Sequence, residues 1–176
     1  MGQHIMIDLE TLGTRPGSVI LSIGAVVFDL KTGKLEAEFY KNIDRASCEK
    51  VGLTTDNATV EWWEKQSPEA KAALEPDQVK LLDALAAFTD WFARVGGECV
   101  WGHGATFDLV LLAEAYRAER VPPPWKFWNE RCCRTVLALG NRTPDKTRFG
   151  LHHNALDDAK SQAMAVAAAL RLGVKA

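Results

Sequence analysis

Short apolar runs separated by turn residues fill the N-terminal part of the chain, and helical periodicity takes over afterwards. Residues 4–9, HIMIDL, read as a short buried strand, and residues 19–28, VILSIGAVVF, as a second one rich in β-branched types. The segment Asp29 to Lys34, DLKTGK, carries turn signals, and LEAEFYKNI from Leu35 follows as a third strand. Together they predict an antiparallel meander. From Asp56 to about Leu74 the pattern is helical, with a break near Ser67-Pro68. Residues 78–95 predict an amphipathic helix whose apolar stripe is Leu81, Leu85, Phe88 and Phe92, stopped by Gly96-Gly97. CVWGHG reads as a fourth strand. Thr106 to Glu119 reads as the next helix, with Thr106 as its cap, and a fifth strand is expected near Trp125 to Phe127. A helix over Arg131 to Leu139, a basic loop NRTPDKTRFG and a last helix from Ala155 to Leu170 complete the chain. A meander followed by alternating helix and strand predicts an α/β fold: a mixed five-stranded sheet flanked by helices, in a single domain over residues 1–176.

Composition narrows the function. Hydrophobic residues make up 47% and charged residues 25%, an ordinary globular balance. No apolar run is long enough to span a bilayer, and MGQHIMIDLE lacks the basic start and cleavage site of a signal peptide. The expected location is cytoplasmic, with no membrane partner. Cys48, Cys99, Cys132 and Cys133 fit no zinc spacing and are read as reduced thiols. A net charge of −2 argues against coating of long duplexes by bulk electrostatics. An enzyme that grips only a strand end, through metal ions and a few local basic residues, stays open.

Three places carry candidate chemistry. Asp8 and Glu10 stand two apart on the first strand, so both point to the same face. Two carboxylates at the end of a buried strand need a compensating charge, and divalent cations prefer carboxylate oxygens. Asp108, in WGHGATFDLVLL, lies at a strand-to-helix junction, where functional groups gather at the edge of an α/β sheet. His153 and Asp158, in HHNALDDAKSQA, lie just before and just inside the last helix. Each place alone also has an ordinary reading: solvated acids at a strand end, an acid compensating a helix dipole, a polar cap. Four carboxylates from three segments, with a histidine, suit a two-metal phosphoryl-transfer site.

The three places also form ordered motifs. Asp-Leu-Glu-Thr-Leu-Gly at Asp8 to Gly13, His-Gly-Ala-Thr-Phe-Asp at His103 to Asp108, and His-Asn-Ala-Leu-Asp-Asp-Ala at His153 to Ala159 resemble the three motifs of the DEDDh exonucleases, in the RNase H-like superfamily. The likeness runs from about Met6 to Ala169. Thr59 to Gln66, TVEWWEKQ, together with WGHGATFD, is most similar to a branch related to phage exonuclease A and bacterial RNase T-like exoribonucleases. The second motif departs from the family pattern, which often has Asn at the place of Gly104 or of His103.

The resemblance implies an RNase H-like fold and a metal-dependent 3′→5′ exonuclease acting on single-stranded 3′ ends of DNA or RNA and releasing nucleoside 5′-monophosphates. It implies Asp8, Glu10, Asp108 and Asp158 as ligands of two divalent cations, Mg²⁺ or Mn²⁺, and His153 as general base. It also implies substrate contacts from Leu9, Thr11, Leu12 and Phe107, and, since several relatives are dimers, allows a homodimer. Specialisation for RNA overhangs or short oligoribonucleotides is the second reading, and an inactive nucleic-acid-binding module the third. The complete acid set speaks against the third. Trp62 and Trp63 are read as core or base-stacking residues, Arg142, Lys146 and Arg148 as a solvated basic loop or phosphate contacts, and His4, His103 and His152 as structural or exposed.

The doubled residues leave a register question, because His152 with Asp157 has the same spacing as His153 with Asp158. Asp158 leads into the small apolar face Ala159, Ala163, Val166 and Leu170, which suits packing on the sheet. Asp157 lies roughly 100° away around the helix. The pair His153 and Asp158 is therefore the expected one.

Overall fold

The computed structural model describes residues 2–104, 106–141 and 148–171. Strands β1 (Gln3–Thr11), β2 (Ile20–Phe28) and β3 (Leu35–Asn42) form the expected antiparallel meander. The short helices α1 (Arg45–Lys50), α2 (Asn57–Glu64) and α3 (Pro68–Ala72) follow, then α4 (Leu81–Arg94). Strand β4 (Gly97–Gly102) pairs parallel with β1. Helix α5 (Asp108–Ala118), strand β5 (Glu130–Cys132), α6 (Cys133–Leu139) and α7 (Ala155–Arg171) complete the order. The sheet is mixed, in the order β3-β2-β1-β4-β5. No helix among the described residues is long and apolar enough to cross a membrane.

The two-residue period of β1 decides what lies on each side. Ile5, Ile7 and Leu9 enter the larger core, with Leu85, Phe88 and Phe92 of α4 and Leu109, Leu112 and Tyr116 of α5. Met6 enters the second core with Val26, Phe28, Trp101 and the small residues Ala159, Ala163 and Val166 of α7. Asp8 and Glu10 continue the Met6 face toward the strand's end, so the alternation that builds the core also lays both acids under α7.

Helix α7 approaches the sheet closely because Gly24 has no side chain. Gly24 pairs with Asp8 across β1 and β2. A Cβ on Gly24 would stand 2.2 Å from the Ala155 carbonyl carbon and the Leu156 nitrogen, both backbone atoms. The first turn of α7 therefore rests on the strand beside the first acid. At the other side of the site, Asp56 caps α2 by accepting from the Ala58 N–H, and the Trp63 indole N–H donates to the Thr11 carbonyl at 2.9 Å, tying α2 to the end of β1.

Two expectations need correction. The fifth strand is not at Trp125 to Phe127. Trp125 is buried edge-on against Phe88 and Tyr116, and its indole N–H is bonded to Glu130. Phe127–Asn129 form a 3-10 turn, and the strand is Glu130–Cys132, set by parallel pairing with Val100, Trp101 and Gly102. Thr106 does not cap α5 either. The helix begins at Asp108 after Phe107, with no side-chain cap.

The close contact at Gly24 generates a prediction. Gly24→Ala forces α7 off the sheet, and overpacking of this kind costs about 1–3 kcal/mol. The melting temperature should fall by roughly 2–4 °C per kcal/mol for a chain of this size. Activity should fall with it, because Asp158 rides on the displaced turn. An unchanged thermal scan would show that α7 does not depend on this contact.

Candidate active site

Three chain segments meet in a cleft of about 760 Å³ at the ends of β1 and β4. Strand β1 presents Asp8 and Glu10, and Asp158, from the first turn of α7, comes down beside them. One carboxylate oxygen from each of these three lies within 4.8 Å of the others. Asp108, 2% exposed, lines the same cleft from the start of α5. Its Oδ2 accepts the His103 N–H at 2.9 Å, so the carboxylate also ties down the loop between β4 and α5.

Burial and mutual repulsion set the electrostatics. Burial pushes Asp8 well above the ordinary carboxylate range, and the charges of Asp108, Glu10 and Asp158 push it further. Glu10 rises to about 8, first through burial and then through Asp158 and Asp108. Asp108 rises to about 7 through burial, moderated by the His103 N–H and the nearby Arg134. Such a site favours whatever supplies positive charge. The donors are carboxylate oxygens, the set a hard divalent cation takes, so the residues present fit the metal that the acids imply.

Asp158 and Asp157 are separated by what they bond. Asp158 accepts the His153 N–H at Oδ2, 3.0 Å away, and the Arg148 guanidinium at Oδ1, 3.3 Å away. Asp157 instead accepts the Leu151 N–H at 2.8 Å and serves the preceding loop. His153 has φ of 60°, a left-handed conformation that an L-residue adopts only when its surroundings hold it. The Asp158 carboxylate on its N–H is one such hold. The Trp62 ring is another, edge-on at 4.8 Å. Burial, and then the charge of Arg148, lower the His153 pKa, which favours the neutral imidazole that can accept a proton. His152 stacks on His153 at 3.7 Å and also lines the cleft, although it is exposed.

The remaining expected residues divide. Leu9, Thr11 and Phe107 line the cleft. Leu12 is 6% exposed and packs in the larger core behind it. Trp62 and Trp63 both line the cleft, and Trp63 also packs in the larger core. Arg148 lines the cleft, whereas Arg142 and Lys146 lie outside the described residues. His4 is structural, accepting the Trp101 indole N–H, and all four cysteines are free thiols.

Three residues of the site escape sequence reasoning. His103, read as structural or exposed, lines the cleft and gives its N–H to Asp108. Arg134 of α6 lines it beside Asp108. Gln162 is buried and donates from Nε2 to Asp8 Oδ1 at 2.7 Å, while its Oε1 is buried without a partner. One signal for Gln162 was present: it stands four residues after Asp158, on the same helix face.

The chain is similar to known nucleases in sequence and in fold. A family profile described as a 3′-5′ exoribonuclease Rv2179c-like domain matches residues 3–170. An exodeoxyribonuclease of Enterobacteria phage T4 is 26% identical over 178 residues, covering 86% of this chain and 78% of the relative. Among solved structures, the nuclease domain of 3′hExo, a DEDDh family member bound to rAMP, aligns with a TM-score of 0.65 at 14% identity over 99% of this chain and 94% of its own. Exonuclease I of E. coli, in complex with a dT13 oligonucleotide, gives 0.64 at 14% identity over 99% of this chain and 42% of that one. At such identities the structural likeness establishes the fold, an RNase H-like exonuclease fold.

The raised acids predict how stability depends on pH without a cation. Above the ordinary imidazole value of about 6.5 the histidines are mostly neutral in both states, so the acids dominate. There the folded protein still holds protons on Glu10 and Asp108 that the unfolded chain has released, so stability falls as pH rises through about 7 and 8. In chelator, the melting temperature should therefore drop between about pH 6.5 and pH 8. A divalent cation should restore it most at the upper end. A flat profile in chelator would mean that the acids are not strained.

Proposed function

The chain belongs to the 3′-5′ exoribonuclease Rv2179c-like domain family, and from that membership we propose that this cleft removes nucleotides one at a time from single-stranded 3′ ends. In this reading the exonuclease domain spans residues 1–176 and acts in the cytoplasm, where free thiols persist. The observation that carries the site assignment is the convergence of Asp8, Glu10 and Asp158 within 4.8 Å, with His153 beside them.

Asp8, Glu10, Asp108 and Asp158 would hold two divalent cations, Mg²⁺ or Mn²⁺, which when bound neutralise charge on the scissile phosphate and acidify the attacking water. Gln162 fixes Asp8 through its 2.7 Å hydrogen bond. His153, neutral and held by Asp158 and Trp62, accepts the proton of the attacking water. The water oxygen bonds to phosphorus, the bond from phosphorus to the 3′ oxygen of the preceding nucleotide breaks, and that oxygen leaves with a proton. The products are a nucleoside 5′-monophosphate and a strand shorter by one nucleotide. Leu9, Thr11 and Phe107 shape the cleft for the terminal nucleotide, with the Phe107 and Trp62 rings available to bases, since every base has a π face.

The family description favours RNA, and the phage relative's name favours DNA. We take single-stranded RNA as the first substrate and DNA as the second, because the family match covers almost the whole chain. Digestion of matched oligomers labelled at the 5′ end compares the two directly, and a faster ladder on DNA would reverse the order.

Mutagenesis tests the residue roles. Chelation should abolish hydrolysis, and Mg²⁺ or Mn²⁺ should restore it. Asp158→Asn should lose nearly all activity, and His153→Ala should lose about 10²–10⁴-fold in rate, the usual contribution of a general base. His152→Ala and Asp157→Asn should keep most activity. Initial rates, with circular dichroism to verify folding, decide the matter. Inactive His152→Ala and Asp157→Asn beside active His153→Ala and Asp158→Asn would move the site by one register.

A further inference from the structure

Two arginines line the cleft, and they stand differently toward the acids. Arg148 is paired with Asp158. Arg134, in the first turn of α6, has no hydrogen-bond or ion-pair partner among the described residues. Its charge is felt at Asp108, but the Asp108 Oδ2 accepts the His103 N–H. A guanidinium that served to hold Asp108 would gain most by bonding its carboxylate directly. The root of the Arg134 side chain is fixed, because its neighbours on α6, Cys133 and Leu137, are buried in the second core. Arg134 itself is exposed.

Gly104 shows where the guanidinium lies. A Cβ at this position would stand 3.8 Å from Arg134 Cζ and Nη1 and 3.7 Å from Phe107 Cβ, all ordinary contact distances. Arg134 and Phe107 therefore flank one stretch of bare backbone. The φ of Gly104 is 128°, a conformation that suits glycine and keeps this stretch bare. It is also the place where the second motif departs from its family pattern. Phe107 is half-buried and lines the cleft. A guanidinium beside an aromatic side chain is a pairing that suits a single strand: phosphate oxygens match the planar fork, and every base has a π face. In the exonuclease reading the phosphate under attack lies on the acids and their cations. The phosphate left for Arg134 is one further along the strand.

We propose that Arg134 binds a non-scissile phosphate of the substrate strand, on the 5′ side of the bond that is cut, and so holds the terminal nucleotide in register. The assignment rests on the exonuclease reading above and adds a substrate-positioning residue to it.

The test compares wild type, Arg134→Ala and Arg134→Lys at saturating Mn²⁺, following release of the terminal nucleotide from single-stranded oligomers. On an unmodified oligomer Arg134→Ala should raise KM about tenfold, the order of one lost charge-assisted hydrogen bond, with a smaller change in kcat. The slope of log kcat/KM against log salt should become shallower by about 0.7, the value of one lost phosphate contact on a single strand. Arg134→Lys should keep the wild-type slope. Two further oligomers carry an uncharged methylphosphonate in place of the second or the third phosphate from the 3′ end. One of these changes should cost wild type about as much as the Ala substitution does, and should cost Arg134→Ala little, because the contact is already gone. Mn²⁺ binding by calorimetry, without nucleic acid, should be little changed in either variant. If wild type digests the oligomer while Arg134→Ala matches it in KM and slope, or loses as much as wild type to both methylphosphonates, Arg134 holds no such phosphate and the exonuclease reading stands. Weaker Mn²⁺ binding in Arg134→Ala with an unchanged KM also overturns the proposal, since Arg134 would then support Asp108 and not the strand. If wild type releases no nucleotide, the underlying reading fails and this assignment with it.

Discussion

Repulsion among carboxylates in a poorly hydrated cleft is the constraint on which the rest of this structure depends. Asp8, Glu10, Asp108 and Asp158 come from three separate segments and share one cleft. Each charge disfavours the others, and low local polarity sharpens the effect. A fold that only had to be stable would not gather them. The surrounding structure holds them together through many small commitments: His103 N–H on Asp108, His153 N–H on Asp158, and the Gln162 amide on Asp8. Each is a hydrogen-bond donor aimed at an acid, and together they orient the carboxylates.

The architecture explains how such a cluster is built from ordinary elements. Alternation along β1 sends Ile5, Ile7 and Leu9 to one core and sets Met6, Asp8 and Glu10 in a row on the opposite face. Small residues of α7 and the bare backbone of Gly24 let the helix lie close enough for Asp158 to reach that row. The cleft opens where β4 ends at Gly102, just past the Met6–Trp101 pair, while β1 runs on to Thr11, and their parallel pairing is what brings Asp108 to the same edge. Packing and chemistry are thus one arrangement, and a change that lifts α7 alters both.

Much of this was legible in the chain, for reasons that differ by residue. The alternation around Asp8 and Glu10, the stripe of Leu81, Leu85, Phe88 and Phe92, and the three ordered motifs are local patterns, and local patterns survive without a structure. The assignment of Asp158 over Asp157 followed from the small apolar face behind it, and the two acids do bond to different partners. What escaped was long-range. The fifth strand was misplaced because Trp125 and Phe127 have strand-like side chains, whereas Glu130–Cys132 becomes a strand only by pairing with β4. Gln162 meets Asp8 only because α7 is laid against β1, 154 residues away along the chain. His103 was hidden because its contribution to Asp108 is a backbone N–H, which any residue could supply.

The account's central claim is that the acids are held ready for cations and carry protons in their absence. Calorimetric titration of the cation-free protein with Mn²⁺ at about pH 7, in buffers of different ionisation enthalpy, measures binding and proton release together. With Glu10 raised to about 8 and Asp8 raised well above its ordinary range, binding should expel at least one proton per chain, and Glu10→Gln should reduce that number. Binding with no proton release, or no binding at all, would contradict the claim.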